Sequence, residues 1–182
     1  MSLRAALRAS LEPYRPLDPV EATHRERMLA LAAVVGDPFR RDHFAPGHFT
    51  ASAFILSPTG DALLLVHHTK LDRWLQPGGH VEAGDIDLLA AARREALEEV
   101  GLSDLACEVE GPFDLDVHVI PERGAEPAHE HFDVRFLFRA PHERHLHSEE
   151  SHDARWFTRR ELGAGFDASV LRAVRKLARL RA

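Results

Sequence analysis

Three glutamates within one helical turn are the residues of this sequence best suited to bind a metal ion. Glu95, Glu98 and Glu99 lie in a segment rich in alanine and leucine, which favours a helix. At about 100° per residue they share an arc of roughly 100°. Their charges repel one another near the helix C-terminus, where the helix dipole also disfavours them. A bound cation explains this placement better than a solvated acidic face does, and all-oxygen ligands favour Mg²⁺ or Mn²⁺ over Zn²⁺.

The residues around this cluster resemble the signature of the Nudix hydrolases, G-x5-E-x7-R-E-U-x-E-E-x-G-U, in which U is a bulky aliphatic residue. The lead-in Trp74-Leu75-Gln76-Pro77 is followed by the matching segments Gly78-Gly79-His80-Val81-Glu82-Ala83-Gly84, Arg94-Glu95, Glu98-Glu99 and Gly101-Leu102. Three departures stand out. Ala96 is small, Asp85 replaces the first glutamate, and one extra residue separates Asp85 from Arg94.

This resemblance implies the Nudix α/β/α sandwich, with a mixed sheet between helices. It also implies metal-dependent hydrolysis of a phosphoanhydride (pyrophosphate) bond in a nucleoside diphosphate linked to another group. Carried over to this chain, the Mg²⁺ or Mn²⁺ ligands are Glu95, Glu98, Glu99 and Gly79, the last through its carbonyl oxygen. Arg94 is four residues from Glu98, a spacing that favours an orienting ion pair.

The resemblance also implies that the general base is a glutamate of the signature segment from Gly79 to Leu102, here called the box, or of a late loop. Glu149 and Glu150 lie in such a loop, ahead of Arg155-Trp156-Phe157, which resembles the family's late strand. A plain solvated acidic loop is an equally good interpretation of each residue. Together with Glu98, Glu99 and Arg94, they complete the set of candidate catalytic residues.

Two other functions remain open. A non-catalytic nucleotide-binding Nudix module is disfavoured because such modules usually lose box carboxylates, which this chain keeps. An isopentenyl-diphosphate isomerase needs a well-placed cysteine. Cys107 lies just beyond the box helix, which is a poor position for this role, so the isomerase is disfavoured. Assaying candidate substrates with Mg²⁺ and Mn²⁺ distinguishes these functions.

Three residues are candidates for substrate binding. Trp74 is suited either to stacking on a base or to a core position. Arg135, on the polar face of an alternating strand, is suited to contact a phosphate or nucleotide. His131 is paired with His129 at a spacing that directs both side chains to one side of a strand. No cysteine or third ligand lies nearby in the sequence to complete a zinc site, so most of the 13 histidines are interpreted as surface or structural residues.

Composition restricts the class of protein. The chain has 182 residues, 45% of them apolar and 29% charged, which is typical of a globular domain. Its net charge of −6 does not favour nucleic acid as a partner. A single cysteine excludes an internal disulfide and fits a cytoplasmic location. No apolar run approaches the roughly 20 residues of a membrane span, so we expect no membrane as partner. The resemblance implies a small nucleotide as the partner.

Apolar periodicity predicts the elements that position these residues. Helices are expected over residues 2–12, from Asp18-Pro19 to about Val35, in the box, and over 166–182. Strands are expected at 48–57 and 62–68, joined as a hairpin, within 106–120, and at 131–139 and 154–157. The alternating strands are expected to be half-buried. We predict a single domain over 1–182 with an N-terminal helical extension at 1–40. The extension packs on the fold, covers a substrate edge or forms a homodimer contact.

The extra residue between Asp85 and Arg94 is expected outside the helix. An insertion within the helix would rotate the glutamates by about 100° relative to the preceding loop. It is therefore placed at the junction, around Ile86-Asp87. Asp85 is expected to support the loop through backbone N–H groups or Arg94 rather than to bind the metal directly, and a simple helix N-cap is the alternative.

Overall fold

The computed structural model describes residues 1–69, 71–148 and 151–180. Within these residues the helices are α1 (Leu3–Leu11), α2 (Pro19–Leu31), α3 (Leu88–Val100) and α4 (Ala168–Leu180). The strands are β1 (Gly47–Leu56), β2 (Ala62–His68), β3 (Arg73–Leu75), β4 (Gly78–His80), β5 (Ala106–Cys107), β6 (Asp114–Ile120), β7 (His129–Arg139) and β8 (Ser151–Thr158). They form a mixed sheet in an α/β fold.

The chain divides into two compact units. The first comprises Met1–Ser52, Gly79–Ala92 and Glu110–Phe136, and the second comprises Ala53–Gly78, Arg93–Val109 and Leu137–Ala182. The single domain expected over 1–182 stays a prediction. Among the described residues, each helix is too short or too polar to cross a membrane.

In the second unit, β2 has three partner strands. It pairs antiparallel with β1, β3 and β8, and the strand order is β3-β2-β1-β7-β5. The β1–β2 turn closes because the N–H of Ser57 donates to the carbonyl of Ala62 at 2.9 Å and Gly60 adopts a positive φ of 79°. The predicted hairpin is therefore confirmed.

In the first unit, β6 and β7 form a long antiparallel pair, from Asp114 opposite Arg135 to Ile120 opposite His129. Helix α2 packs against β6 through the fully buried Glu21. That carboxylate accepts hydrogen bonds from the Tyr14 hydroxyl and from the backbone N–H groups of Leu17, at 2.6 Å, and Leu115, at 3.3 Å. Of the three roles left open for the N-terminal helices, packing on the fold is the one observed.

A buried arginine lies at the centre of the first unit. Arg135 is 1% exposed, and its guanidinium contacts three aspartates, Asp114 at 3.1 Å, Asp116 at 3.1 Å and Asp133 at 2.8 Å. Burial opposes the charged form, but these carboxylates outweigh it and raise the pKa of Arg135. The Ser52 hydroxyl of β1 donates to Asp133 at 2.7 Å, so the network joins β1, β6 and β7.

The structure corrects several sequence-based expectations. Helix α2 ends at Leu31 rather than near Val35, and the Arg4 guanidinium binds the carbonyl oxygens of Ala32, Val34 and Gly36 beyond it. The expected strand region at 106–120 is two strands, separated by a turn in which Gly111 has a φ of 73°. The half-buried pattern is wrong for β7, because residues 132–138 are buried on both faces. The short strands β3 and β4 are additions that the sequence pattern does not predict.

Replacing Arg135 tests the energetic role of this network. We expect Arg135→Leu to lower the free energy of unfolding by about 3–5 kcal/mol, because it leaves three buried carboxylates without their cation. Urea unfolding followed by circular dichroism measures the change. The matched control is Arg40→Leu, because Arg40 pairs with Asp42 at the surface and its loss should change little. Equal stability of the two variants would contradict this role for Arg135.

Candidate active site

Helix α3 presents different residues to the core and to solvent. The buried residues on this helix are Leu88, Ala91, Ala92, Ala96 and Val100. Glu98 is exposed, whereas Glu95 and Glu99 are half-buried. The apolar stripe of α3 is therefore separate from the acidic cluster.

Two aspartates before α3 accept hydrogen bonds from different backbone N–H groups. Asp85 accepts a hydrogen bond from the N–H of Glu82 at 2.8 Å, as predicted for a residue that supports the loop. Asp87 accepts from the N–H of Ala90 at 2.7 Å, which is the contact of a helix N-cap. Because α3 then runs without interruption from Leu88 to Val100, the extra residue lies before the helix, as the sequence predicts.

Three carboxylates are held in place by their neighbours in the second unit. Arg94 Nη1 donates to Glu95 Oε1 at 2.9 Å and to Glu98 Oε2 at 3.0 Å. The N–H of Gly78 donates to Glu99 Oε1 at 2.9 Å. The structure therefore brings Arg94 together with Glu95 and Glu98, and it ties Glu99 to the backbone of Gly78. The ion pair expected between Arg94 and Glu98 is confirmed.

The donor set of this cluster fits a hard divalent cation. Glu95, Glu98 and Glu99 supply only carboxylate oxygens, the ligand type of Mg²⁺ and Mn²⁺. A divalent ion bound by these carboxylates would neutralise their negative charge. Gly79, the fourth predicted ligand, lies in β4 within the first unit.

The loop after β7 is anchored on the C-terminal end of α3. The N–H of Leu146 donates to the carbonyl of Val100 at 3.0 Å, and that of Ser148 to the carbonyl of Glu99 at 3.0 Å. These bonds satisfy helix carbonyls that have no partner within α3. Glu149 and Glu150, the candidate bases that follow Ser148 in sequence, lie outside the described residues.

Trp74 lies in an aromatic cluster of the second unit. Its ring packs edge-on against Phe157, with centroids 4.8 Å apart, and lies 5.0 Å from the ring of His67. The side chain is half-buried. Trp74 thus contributes to packing while keeping part of its ring accessible, so the prediction of base stacking stays a prediction.

The other two candidate substrate contacts lie in the first unit. Arg135 has its guanidinium surrounded by three aspartates and is buried from solvent, so we do not include it among the proposed substrate contacts. His131 belongs to a cluster with His48 and His80, whose ring nitrogens lie within 4.8 Å of one another. Burial, together with the neighbouring imidazoles, lowers the pKa of His48 to about 4 and that of His131 to about 2.

Sequence reasoning missed three contributors to these sites. The N–H of Gly78 holds Glu99, although the sequence shows Gly78 only as part of the loop match. His48 and His80 join His131 from strands that are distant in sequence, so spacing along the chain could not detect them. The high number of histidines was the only indication in the sequence, and it does not identify which of them lie close together.

Comparisons with known proteins agree with this geometry. The NUDIX domain family model matches residues 46–176, whereas a search of curated proteins finds no match. Among solved structures, the Escherichia coli dihydroneopterin triphosphate pyrophosphohydrolase is 20% identical, with a TM-score of 0.58 over 74% of this chain and 96% of that chain.

Two further structures are similar in fold. A Caenorhabditis elegans Ap4A hydrolase is 18% identical, with a TM-score of 0.52 over 73% of this chain and 96% of that chain. The NUDIX domain of Shewanella oneidensis NrtR, complexed with ADP ribose, is 16% identical, with a TM-score of 0.52 over 74% of this chain and 88% of that chain. At these identities the likeness concerns the fold alone, and it confirms the predicted Nudix-type α/β fold.

The N-cap of α3 can be tested by substitution. We expect Asp87→Ala to lower the free energy of unfolding by about 1 kcal/mol, because the N–H of Ala90 loses its side-chain acceptor. Thermal or urea unfolding measures the loss. Asp104→Ala, at an exposed position, is the control and should have little effect. If Asp87→Ala leaves the free energy of unfolding unchanged, Asp87 does not stabilise α3 as its N-cap.

Proposed function

Because the chain belongs to the Nudix family, we propose that it is a metal-dependent pyrophosphohydrolase. The bond cleaved is a phosphoanhydride in a nucleoside diphosphate linked to another group. The observation that supports this most directly is the arrangement on α3, where Arg94 holds Glu95 and Glu98 while the N–H of Gly78 holds Glu99. A solvated acidic face has no need for such fixed carboxylates.

Glu95, Glu98 and Glu99, with the carbonyl of Gly79, are the proposed ligands of Mg²⁺ or Mn²⁺. When bound, the ion neutralises charge on phosphate oxygens and activates water. Arg94 acts as a positioning residue, because its ion pairs orient Glu95 and Glu98. The hydrogen bond from Gly78 orients the Glu99 carboxylate in the same way. These contacts reduce the reorganisation needed when charge develops on the substrate.

Glu149 or Glu150 is the proposed general base, with a box glutamate as the alternative. Support comes from the preceding residue Ser148, whose N–H binds the backbone carbonyl of Glu99. This contact ties the late loop to the helix that holds the proposed metal ligands. A carboxylate from this loop would remove a proton from the attacking water.

A small nucleotide is the proposed substrate, with the accessible part of the Trp74 ring as a stacking surface for a base. Structures similar in fold include a dihydroneopterin triphosphate pyrophosphohydrolase, an Ap4A hydrolase and a domain complexed with ADP ribose. These guide the choice of compounds for screening. A cytoplasmic location is proposed from the single cysteine, Cys107. A homodimer through the N-terminal helices is proposed as well.

The carboxylates of the box provide the main test. In a screen of nucleoside polyphosphates, ADP-ribose, sugar nucleotides, dinucleoside polyphosphates and coenzyme A, we expect hydrolysis of a phosphoanhydride bond with Mg²⁺ or Mn²⁺ and none with excess chelator. Glu98→Gln and Glu99→Gln should each lower kcat by on the order of 10²-fold or more. In the Glu99→Gln variant the side-chain amide oxygen can still accept from Gly78, so folding should be preserved.

Glu110→Gln, at an exposed position outside α3, is the control and should retain full activity. Activity that survives excess chelator would overturn the metal assignment. Normal rates in both box variants would show that the cluster is only a solvated face. Tight nucleotide binding without turnover of any compound would instead favour the non-catalytic module.

The two late-loop glutamates can be separated by parallel substitutions. Of Glu149→Gln and Glu150→Gln, we expect one to lower kcat at unchanged metal affinity and to remove the acidic limb of the pH–rate profile, because a base must be ionised to accept a proton. The other should be nearly neutral. Metal affinity is followed by Mn²⁺ titration. Unchanged rates in both variants would place the base in the box.

A further inference from the structure

We propose that His48, His80 and His131 form a binding site for a divalent transition-metal ion, with Zn²⁺ as the expected ion. Their donor nitrogens lie within 4.8 Å of one another, and each residue comes from a different strand of the first unit, β1, β4 and β7. This site uses imidazole nitrogens, whereas the proposed Mg²⁺ or Mn²⁺ site uses carboxylate oxygens. It therefore stands independently of the proposed hydrolase function.

The close approach of two backbone segments brings these rings together. A Cβ atom at Gly47 would lie 1.8 Å from the carbonyl oxygen of Glu130, so only glycine fits there. In addition, the N–H of Glu130 donates to the carbonyl of Pro46 at 2.9 Å. Because His48 and His131 each directly follow one of these touching residues, their rings come within 4.8 Å between centroids.

His48 has a ring nitrogen that lacks a hydrogen-bonding partner. The residue is 1% exposed, and its Nδ1 lies 3.3 Å from the carbonyl oxygen of His43. That contact assigns the proton to Nδ1, since a carbonyl oxygen can only accept. Nε2 is then left with a lone pair, and among the described residues it has no hydrogen-bond partner. A lone pair on one nitrogen, oriented by a backbone contact at the other, is the usual arrangement of a metal-binding histidine.

Two further imidazoles, His129 and His118, lie beside the cluster. The ring of His129 stacks on that of His48, with centroids 5.0 Å apart, and its Nδ1 lies 2.8 Å from the carbonyl of Pro127. His118 lies 5.6 Å from His131 and is held by Asp116 at 3.0 Å.

The donor set and spacing suit zinc. Imidazole nitrogens bind Zn²⁺ at about 2.0–2.1 Å, which puts tetrahedral ligands roughly 3.3 Å apart. The observed separations of up to 4.8 Å therefore need only a small inward rotation of the rings. Three protein ligands leave a fourth position for water or another oxygen ligand, as in zinc sites that are not closed by four side chains.

Cobalt provides a spectroscopic probe of this site. Protein without an affinity tag is stripped with a chelator, supplied with millimolar Mg²⁺ to occupy carboxylate sites, and titrated with Co²⁺. We expect visible absorption bands of tetrahedral Co²⁺ that saturate at one ion per chain and disappear when Zn²⁺ is added. Zn²⁺ should also raise the Tm, because it binds only the folded chain. Absence of both effects in the unmodified protein would overturn the proposal without the use of any variant.

Substitutions then identify the ligands. His80→Gln and His131→Gln should each weaken Co²⁺ binding by more than about 100-fold, since even a residue that only orients a ligand is worth 10–100-fold. His118→Gln, from the same cluster, and Glu98→Gln, from the box, are matched controls and should keep the bands. Retained bands in both ligand variants would overturn the assignment. Loss of the bands in Glu98→Gln would place the ion at the box and would also overturn the assignment to the histidines.

Discussion

The first unit depends on the neutralisation of one guanidinium that has no access to water. A charge in this position is costly unless nearby groups of opposite sign replace its hydration. Three aspartates do so for Arg135, and they come from both β6 and β7. The Ser52 hydroxyl extends the network to β1. The register of these strands is therefore constrained by charge as well as by apolar packing, because a shift of one residue would move each carboxylate to the other face.

The same constraint explains where sequence reasoning about the fold succeeded and failed. The hairpin of β1 and β2, the box helix and the C-terminal helix were predictable because their signals are local, in turn residues and apolar periodicity. The alternation in β7 is also visible in the sequence, where it indicates a solvated polar face. The face is buried because Asp114 and Asp116, on a separate strand, neutralise Arg135. A sequence pattern cannot show that a distant strand supplies the matching charge.

In the candidate active site, too, local contacts were predictable from the sequence and contacts between distant residues were not. The ion pair of Arg94 with Glu98 was predictable because both residues lie one turn apart on a single helix. The hydrogen bond from Gly78 to Glu99 joins residues 21 positions apart and required the structure. The position of the extra residue was predictable from helix geometry alone, since a helix cannot absorb an insertion without rotating everything beyond it. In the structure Asp87 starts the helix and leaves Asp85 to the loop.

The histidines show most clearly that spacing along the sequence cannot reveal ligands from distant strands. The spacing of His129 and His131 suggests a metal-binding pair, yet the neighbouring sequence offers no third ligand. In the structure His131 meets His48 and His80, while His129 stacks beside them. If both proposals hold, one chain presents two donor sets of different chemistry. Carboxylate oxygens prefer hard ions such as Mg²⁺, and neutral imidazoles prefer borderline ions such as Zn²⁺. Each ion then selects its own cluster by ligand type, even when both ions are present together.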